Sequence, residues 1–136
     1  NGLSSNNIYT VYIDKNKMDG NYYPSKILWT LGNFSRFIRP GFERVAVSSP
    51  DLTDTDDKLL VSAFQDKDNK KLVIVIINSD IKEKNIKFDL KNYNINYLRP
   101  YITSESENLK PGKALSIKDI ITVPARSVVT LNGINN

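Results

Sequence analysis

The chain contains neither histidine nor cysteine, so its chemistry has to come from carboxylates, hydroxyl groups, amides and aromatic rings. The absence of both residue types excludes Ser-His and Cys-His dyads, imidazole acid–base catalysis and thiolate metal sites. Paired carboxylates remain open, and the candidate glutamates are Glu43, Glu105 and Glu107. Two of these lie together in a polar, loop-like stretch, and Glu43 follows a helix–strand junction. We therefore expect no catalytic residue in this chain.

A cluster of aspartates is the best candidate for a metal site, because calcium prefers oxygen ligands. Its members are Asp51, Asp54, Asp56 and Asp57. The cluster lacks the glycine and the closing bidentate glutamate of an EF-hand loop. A solvated turn is therefore the expected structure, and we expect neither a metal nor another cofactor.

Lysine carries most of the net charge of +4, and the lysines alternate with aspartates, as they do in residues 67–71. A nucleic-acid-binding protein usually gathers its basic residues on one face, so we expect no nucleic-acid partner. No apolar run is long enough to span a bilayer, and we expect no membrane partner. The chain starts at Asn1 without a signal peptide, which leads us to expect a processed or excised fragment.

The first 41 residues combine a short strand with one amphipathic helix. Residues 8–13 are β-branched and aromatic, residues 14–23 form a polar loop, and the pattern predicts a helix over residues 24–39, with Pro24 in its first turn. Pro40 and Gly41 end the helix. Its apolar face is broad and needs a large apolar partner; it is formed by Ile27, Leu28, Trp29, Leu31, Phe34, Phe37 and Ile38. Asn33 starts a glycosylation motif, but its place inside the helix makes it a poor acceptor.

The remaining residues, 42–136, are a series of short strands separated by turn residues, which predicts an antiparallel β-sandwich. Residues 72–77 are apolar at every position, as expected of a strand that is covered on both faces. The fold class is therefore mostly β, with one preceding helix. The predicted strands cover residues 42–47, 59–64, 71–78, 86–90, 95–102, 114–117 and 127–131.

Four stretches resemble glycoside hydrolase family 30, at its xylanase and glucosylceramidase-like members. Residues 29–42, WTLGNFSRFIRPGF, resemble the crossing from the last barrel helix to the side β-domain. Residues 71–79, KLVIVIINS, are similar to the central strand of that domain. Residues 103–109, TSESENL, and 123–130, VPARSVVT, resemble one of its loops and its closing strand. The four matches occur in order along about a hundred residues.

The resemblance implies that residues 1–41 are the end of a (β/α)₈ catalytic barrel and that residues 42–136 are its side β-sandwich. Family 30 enzymes are retaining hydrolases with two glutamates on the fourth and seventh barrel strands, which would lie before Asn1. The implied role is support of the barrel, in a secreted bacterial enzyme that acts on xylan, β-glucan or galactan. In the first stretch the family often has tryptophans where this chain has residues 10–13, TVYI.

The resemblance also implies a glycan contact, since barrel enzymes bind substrate with the loops that follow their strands. Tyr22 and Tyr23 would stack on a pyranose, and Asp14 and Asn21 would bond its hydroxyl groups. The alternative is that both tyrosines cap the helix and pack on neighbouring loops.

Two other functions remain open. A free-standing carbohydrate-binding module would use exposed aromatic rings, and the candidates are Tyr93, Tyr97 and Tyr101. The last two lie four residues apart, on one face of a predicted strand. A β-sandwich spacer would have no ligand. For the apolar helix face we expect one of three partners: the sandwich itself, a second copy of the chain as a homodimer, or an N-terminal fragment.

Overall fold

The computed structural model describes residues 10–13, 16–48, 58–68, 71–90 and 93–134. Within these ranges the chain forms one helix and eleven strands. In chain order they are β1 (Val11–Ile13), β2 (Tyr22–Pro24), α1 (Lys26–Ser35), β3 (Glu43–Val45), β4 (Leu59–Asp66), β5 (Lys71–Asn78), β6 (Lys84–Ile86), β7 (Tyr97–Thr103), β8 (Lys110–Pro111), β9 (Leu115–Ser116), β10 (Ile121–Val123) and β11 (Ser127–Ile134).

The main sheet has seven antiparallel strands in the order β3-β4-β5-β11-β7-β8, and β9 also pairs with β7. Strand β11 lies in the middle, where Leu131 is opposite Ile74 of β5 on one side and Pro100 of β7 on the other. Strands β4 and β5 are neighbours in sequence and form an antiparallel hairpin that pairs from Leu59–Asn78 to Asp66–Lys71.

One face of this sheet is covered by a second layer, which contains the two-stranded sheet of β6 and β10. Because side chains alternate along a strand, Leu72, Ile74 and Ile76 of β5 point into the space between the layers. The second layer contributes Ile95, Ile121 and Val123 to the same core. The predicted antiparallel β-sandwich is therefore confirmed.

Helix α1 covers the opposite face of the same sheet. Val73 and Val75 of β5 and Val128 of β11 form a buried cluster, against which Phe34, Phe37, Ile38 and Phe42 pack. Strand β5 is thus covered on both faces, as its uninterrupted apolar run predicted. The sandwich is the partner of the apolar helix face, which was one of the three expected partners.

The helix covers a shorter range than the predicted residues 24–39. Pro24 belongs to strand β2, where it lies opposite Val11. Ser25 is extended, and its N–H donates to the Thr10 carbonyl at 2.9 Å, so the strand ladder continues to the helix N-cap. At the other end, Arg36 caps the helix and Gly41 turns the chain with a φ of +94°, which glycine adopts without strain.

Other boundaries also differ from the sequence-based ones. Strand β1 covers Val11–Ile13, and residues 8 and 9 of the predicted strand lie outside the described residues. The last two residues of the polar loop predicted over residues 14–23 belong instead to strand β2. Leu31, which was expected on the buried helix face, is 53% exposed. The sheet is instead contacted by Phe34 of the helix and by Phe37 and Ile38 in the turn that follows it. The described part of the chain contains no helix that is long and apolar enough to cross a membrane.

Candidate functional site

The β1–β2 hairpin carries the tyrosines that the sequence singles out for glycan contact. In its register Tyr23 lies opposite Tyr12, and Tyr22 lies opposite Ile13. Neighbouring residues of a strand point to opposite faces, so Tyr22 and Tyr23 do not share a face. Tyr22 is 73% exposed. The two rings therefore cannot stack together on one sugar, and Tyr22 is the more accessible of the two.

Tyr23 is held within its own hairpin. Its ring lies 5.9 Å from the ring of Tyr12, and the ammonium group of Lys17 lies 4.1 Å from the centre of the Tyr23 ring. The Tyr23 hydroxyl donates a hydrogen bond to Oδ2 of Asp19. These contacts occupy the ring and its hydroxyl, which agrees with a packing role for Tyr23.

Asp19 organises the loop between the two strands. Its Oδ1 accepts a hydrogen bond from the backbone N–H of Asn21 at 3.0 Å, and its other oxygen accepts from Tyr23. These donors stabilise the ionised carboxylate, and the Tyr23 hydroxyl, followed by the Asn21 N–H, lowers the pKa of Asp19. Sequence reasoning did not select Asp19, although an Asp-Gly pair ahead of a strand is a common turn signal.

The polar candidates have different positions. Asn21 is exposed and directly precedes Tyr22 in the chain, and its backbone N–H is bonded to Asp19. Asp14 lies outside the described residues. An exposed ring next to an amide is able to combine stacking on a sugar face with a hydrogen bond to a hydroxyl group.

Tyr97 and Tyr101 lie on the same face of β7, as their spacing predicted, and that face is the one covered by α1. The ring of Tyr101 lies 4.6 Å from that of Phe37, and the Arg36 guanidinium carbon is 5.6 Å from the centre of the Tyr101 ring. Tyr97 is 43% exposed. One ring of the pair is thus part of the helix–sheet contact, and the other is open to solvent.

The glutamates lie on the surface of the sandwich. Glu43 pairs with Lys67 at 2.7 Å, and Glu107 pairs with Lys110 at 2.5 Å. Glu105 lines a groove of about 880 Å³ between the start of α1 and the end of the sheet, together with Lys26 and Arg126. Among the described residues no group of three acidic side chains is placed to hold a metal ion, and the aspartates of residues 51–57 lie outside them.

Sequence reasoning missed a buried polar cluster between α1 and the main sheet. The Asn33 side-chain amide donates to Oγ1 of Thr103 at 2.7 Å and to the Trp29 carbonyl at 3.0 Å. The Thr130 hydroxyl donates to Asn33 Oδ1 at 2.9 Å. The spacing of Trp29, Asn33 and Phe37 was a usable signal, since it places a polar residue on an apolar helix face.

Comparison with known proteins gives the family context of this arrangement. The model of the glycosyl hydrolase family 30 beta sandwich domain matches residues 41–131. The glucuronoxylanase XynC of Bacillus subtilis is 36% identical over 110 residues, which cover 78% of this chain and 24% of the relative. The chain therefore spans about a quarter of the length of the curated relatives it matches.

Two solved structures have the same architecture. A GH30 endoxylanase from Clostridium papyrosolvens C71 superposes with a TM-score of 0.70 at 30% identity, covering 81% of this chain and 28% of the other. A conserved exported protein from Bacteroides fragilis superposes with a TM-score of 0.74 at 28% identity, covering 82% and 22% respectively.

Proposed function

The chain belongs to glycoside hydrolase family 30, and on this premise we propose that it is the C-terminal β-sandwich of a retaining glycoside hydrolase, which supports a catalytic barrel and itself lacks the catalytic glutamates. The observation that carries the proposal is the family match over residues 41–131. The named relatives are a glucuronoxylanase and an endoxylanase, so xylan is the first substrate to test, ahead of β-glucan and galactan.

In this proposal, residues 1–41 are the end of the barrel, and residues 42–136 are the side domain. Strand β1 precedes α1, as a strand precedes its helix in a barrel unit, and the segment that connects them contains the short strand β2. The outer side of α1 exposes Leu31, which would contact the rest of the barrel. Polysaccharides are too large to enter a cell, so the enzyme would act outside its bacterium.

A complementation experiment tests the support role. The chain and the barrel of a family 30 xylanase would be produced as separate polypeptides and mixed, with release of reducing sugar from xylan as the measurement. We expect hydrolysis that increases when the chain is added and no hydrolysis by the chain alone. Leu31→Asp would abolish the increase, and Met18→Asp, which changes an exposed hairpin residue, would be the control. Hydrolysis by the chain alone would contradict the proposal.

The same chain tests whether the outer helix face forms a homodimer. In that alternative, sedimentation of the isolated chain would show a dimer that Leu31→Asp converts to a monomer. A monomer at all concentrations would leave the barrel as the partner of this face.

We further propose that the hairpin contacts glycan through Tyr22 and Asn21. In this proposal Asp19 positions Tyr23, and Asp14 is an additional polar group that bonds the glycan. The support is the exposure of Tyr22 beside an exposed amide, next to a hairpin stabilised by Asp19. Nuclear magnetic resonance titration with xylohexaose would follow the tyrosine ring signals. We expect Tyr22 to shift and Tyr22→Ala to abolish binding, while Tyr97→Ala leaves it unchanged.

The titration also separates the alternatives. Shifts centred on Tyr97 and Tyr101, abolished by Tyr97→Ala, would favour a carbohydrate-binding module. The absence of any shift with xylan, β-glucan or galactan oligosaccharides would favour a sandwich that supports the barrel without touching glycan.

A further inference from the structure

Helix α1 contributes one fully buried polar side chain, Asn33, to its contact with the sheet. Asn33 is completely buried, with 0% of its surface exposed. Around it, Phe34, Phe37 and Ile38 pack on Val73, Val75 and Val128. Apolar contacts of this kind are non-directional, so they stabilise the helix on the sheet without selecting one position along it.

The hydrogen bonds of Asn33 do select a position. Its amide nitrogen reaches Thr103 of β7 at 2.7 Å, and its Oδ1 accepts from Thr130 of β11 at 2.9 Å. The two threonines lie on different strands, so the nitrogen and the oxygen of the Asn33 amide are each bonded to a different strand of the sheet. Thr103 is itself held by the Leu109 N–H at 3.1 Å. Among the described residues no buried side-chain nitrogen or oxygen lacks a partner.

Gly32, next to Asn33, has no side chain and therefore lets the helix lie close to Leu109. A Cβ atom at this position would lie 2.6 Å from Cδ1 of Leu109, which is closer than side chains pack. A shift of the helix by one turn, about 5.4 Å, would move this gap away from Leu109. It would also place Trp29, which lies one turn before Asn33, against the two threonine hydroxyl groups, which would then lose their amide partner.

We propose that Asn33 is a positioning residue that fixes the register of α1 on the sandwich and thereby the placement of the β1–β2 hairpin. The hairpin follows the helix because Ser25, at the helix N-cap, is bonded to Thr10 beside β1. The relevance of this placement to glycan rests on the proposed function, but the register itself does not.

Asn33→Leu tests the proposal without leaving a buried polar group alone. In this variant Thr130 still donates to the backbone carbonyl of residue 33, which it reaches at 2.7 Å, and Thr103 still lies 3.5 Å from the Trp29 carbonyl. We expect the variant to fold but to lose the single register. The readout is the nuclear Overhauser effect between the rings of Phe37 and Tyr101, together with the number of amide signals from the hairpin.

The expected result is loss of the Phe37–Tyr101 effect or a second set of hairpin signals, with neither in the control variant Asn94→Leu on an exposed loop. An unchanged ring contact and a single set of signals in Asn33→Leu would overturn the proposal. If Asn33→Leu does not fold, the Thr130 variants decide. Thr130→Val must lose the ring contact that Thr130→Ser keeps, and retention in both would overturn the proposal. No saccharide is involved, so these results are independent of any glycan binding by Tyr22.

Discussion

The hydroxyl group of Thr130, in the central strand of the sheet, donates to both oxygens of Asn33, the backbone carbonyl at 2.7 Å and the side-chain Oδ1 at 2.9 Å. The helix ends at Ser35, so the Asn33 carbonyl is among the last four, which have no partner within a helix. One threonine therefore satisfies the end of the helix and holds the buried amide at the same time.

Thr130→Val is expected to lower the free energy of unfolding by about 1–3 kcal/mol, because it leaves two buried oxygens without a donor. The side chains have the same shape, so packing changes little. Urea unfolding would measure the loss. Thr122→Val is the matched control, since the hydroxyl of Thr122 bonds Asn85 on an exposed surface, and its effect should stay within about 0.5 kcal/mol. Equal effects of the two variants would contradict this account.

Asn78 joins the end of β5 to the second layer, and Asn78→Ala should destabilise the sandwich by at least about 2 kcal/mol. Its buried amide nitrogen lies 2.9 Å from the Lys82 carbonyl, 2.9 Å from that of Pro124 and 3.3 Å from that of Val123. Thermal or urea unfolding would measure the effect, with the exposed Asn94→Ala as control. A difference below about 0.5 kcal/mol between the two variants would show that this connection is dispensable.

Because β5 is covered on both faces, truncation of its Ile76 side chain would leave a cavity in the core. Ile76 is fully buried between the layers, and Ile76→Ala is expected to cost about 2–5 kcal/mol in unfolding free energy. Ile120 is 65% exposed, so the same substitution there should cost less than about 0.5 kcal/mol. Calorimetry on both variants would compare them, and similar melting temperatures would argue against a close-packed core.

Asp80 should make the free energy of unfolding depend on pH in the acidic range. The Lys84 ammonium group, 3.2 Å away, lowers the pKa of Asp80, and the Ile81 N–H contributes in the same direction. A lowered pKa in the folded state stabilises the fold above the unfolded value, near 3.9, and this contribution is lost as the pH falls through the lowered pKa.

Asp80→Asn should therefore reduce the loss of stability between roughly pH 7 and pH 3, as measured by urea unfolding at both values. Asp68→Asn, in an exposed turn, is the control. If Asp80→Asn keeps the same acid dependence as the unchanged chain, the Lys84 contact does not contribute in solution.

Much of the fold could be predicted because its signals are local. The apolar run in β5 required cover on both faces, and the structure provides the second layer on one side and α1 on the other. The resemblance to family 30, predicted from four stretches, is confirmed by the match over residues 41–131. Strands β8 and β10 were missed because they have only two and three residues. The partner of β10 is also distant in the chain, since Ile121 lies opposite Ile86 of β6.

The candidate site was harder to predict because strand register and residues distant in the chain determine it. Tyr22 and Tyr23 looked equivalent while Pro24 was placed in the helix, and only the strand register puts them on opposite faces. From the sequence, Asn33 was noted only as a poor glycosylation acceptor inside the helix. Its partners Thr103 and Thr130 are 70 and 97 residues away along the chain, beyond any local pattern.

Strand β11 pairs with β5 and with β7, yet it follows both of them in the chain. On the ribosome, the β4–β5 hairpin and the β7–β9 segment emerge first and have no strand to join them, so each exposes an unpaired edge until residues 127–134 appear. Completion of the sheet therefore waits for these residues, and a stop codon before residue 127 should be more damaging than most substitutions.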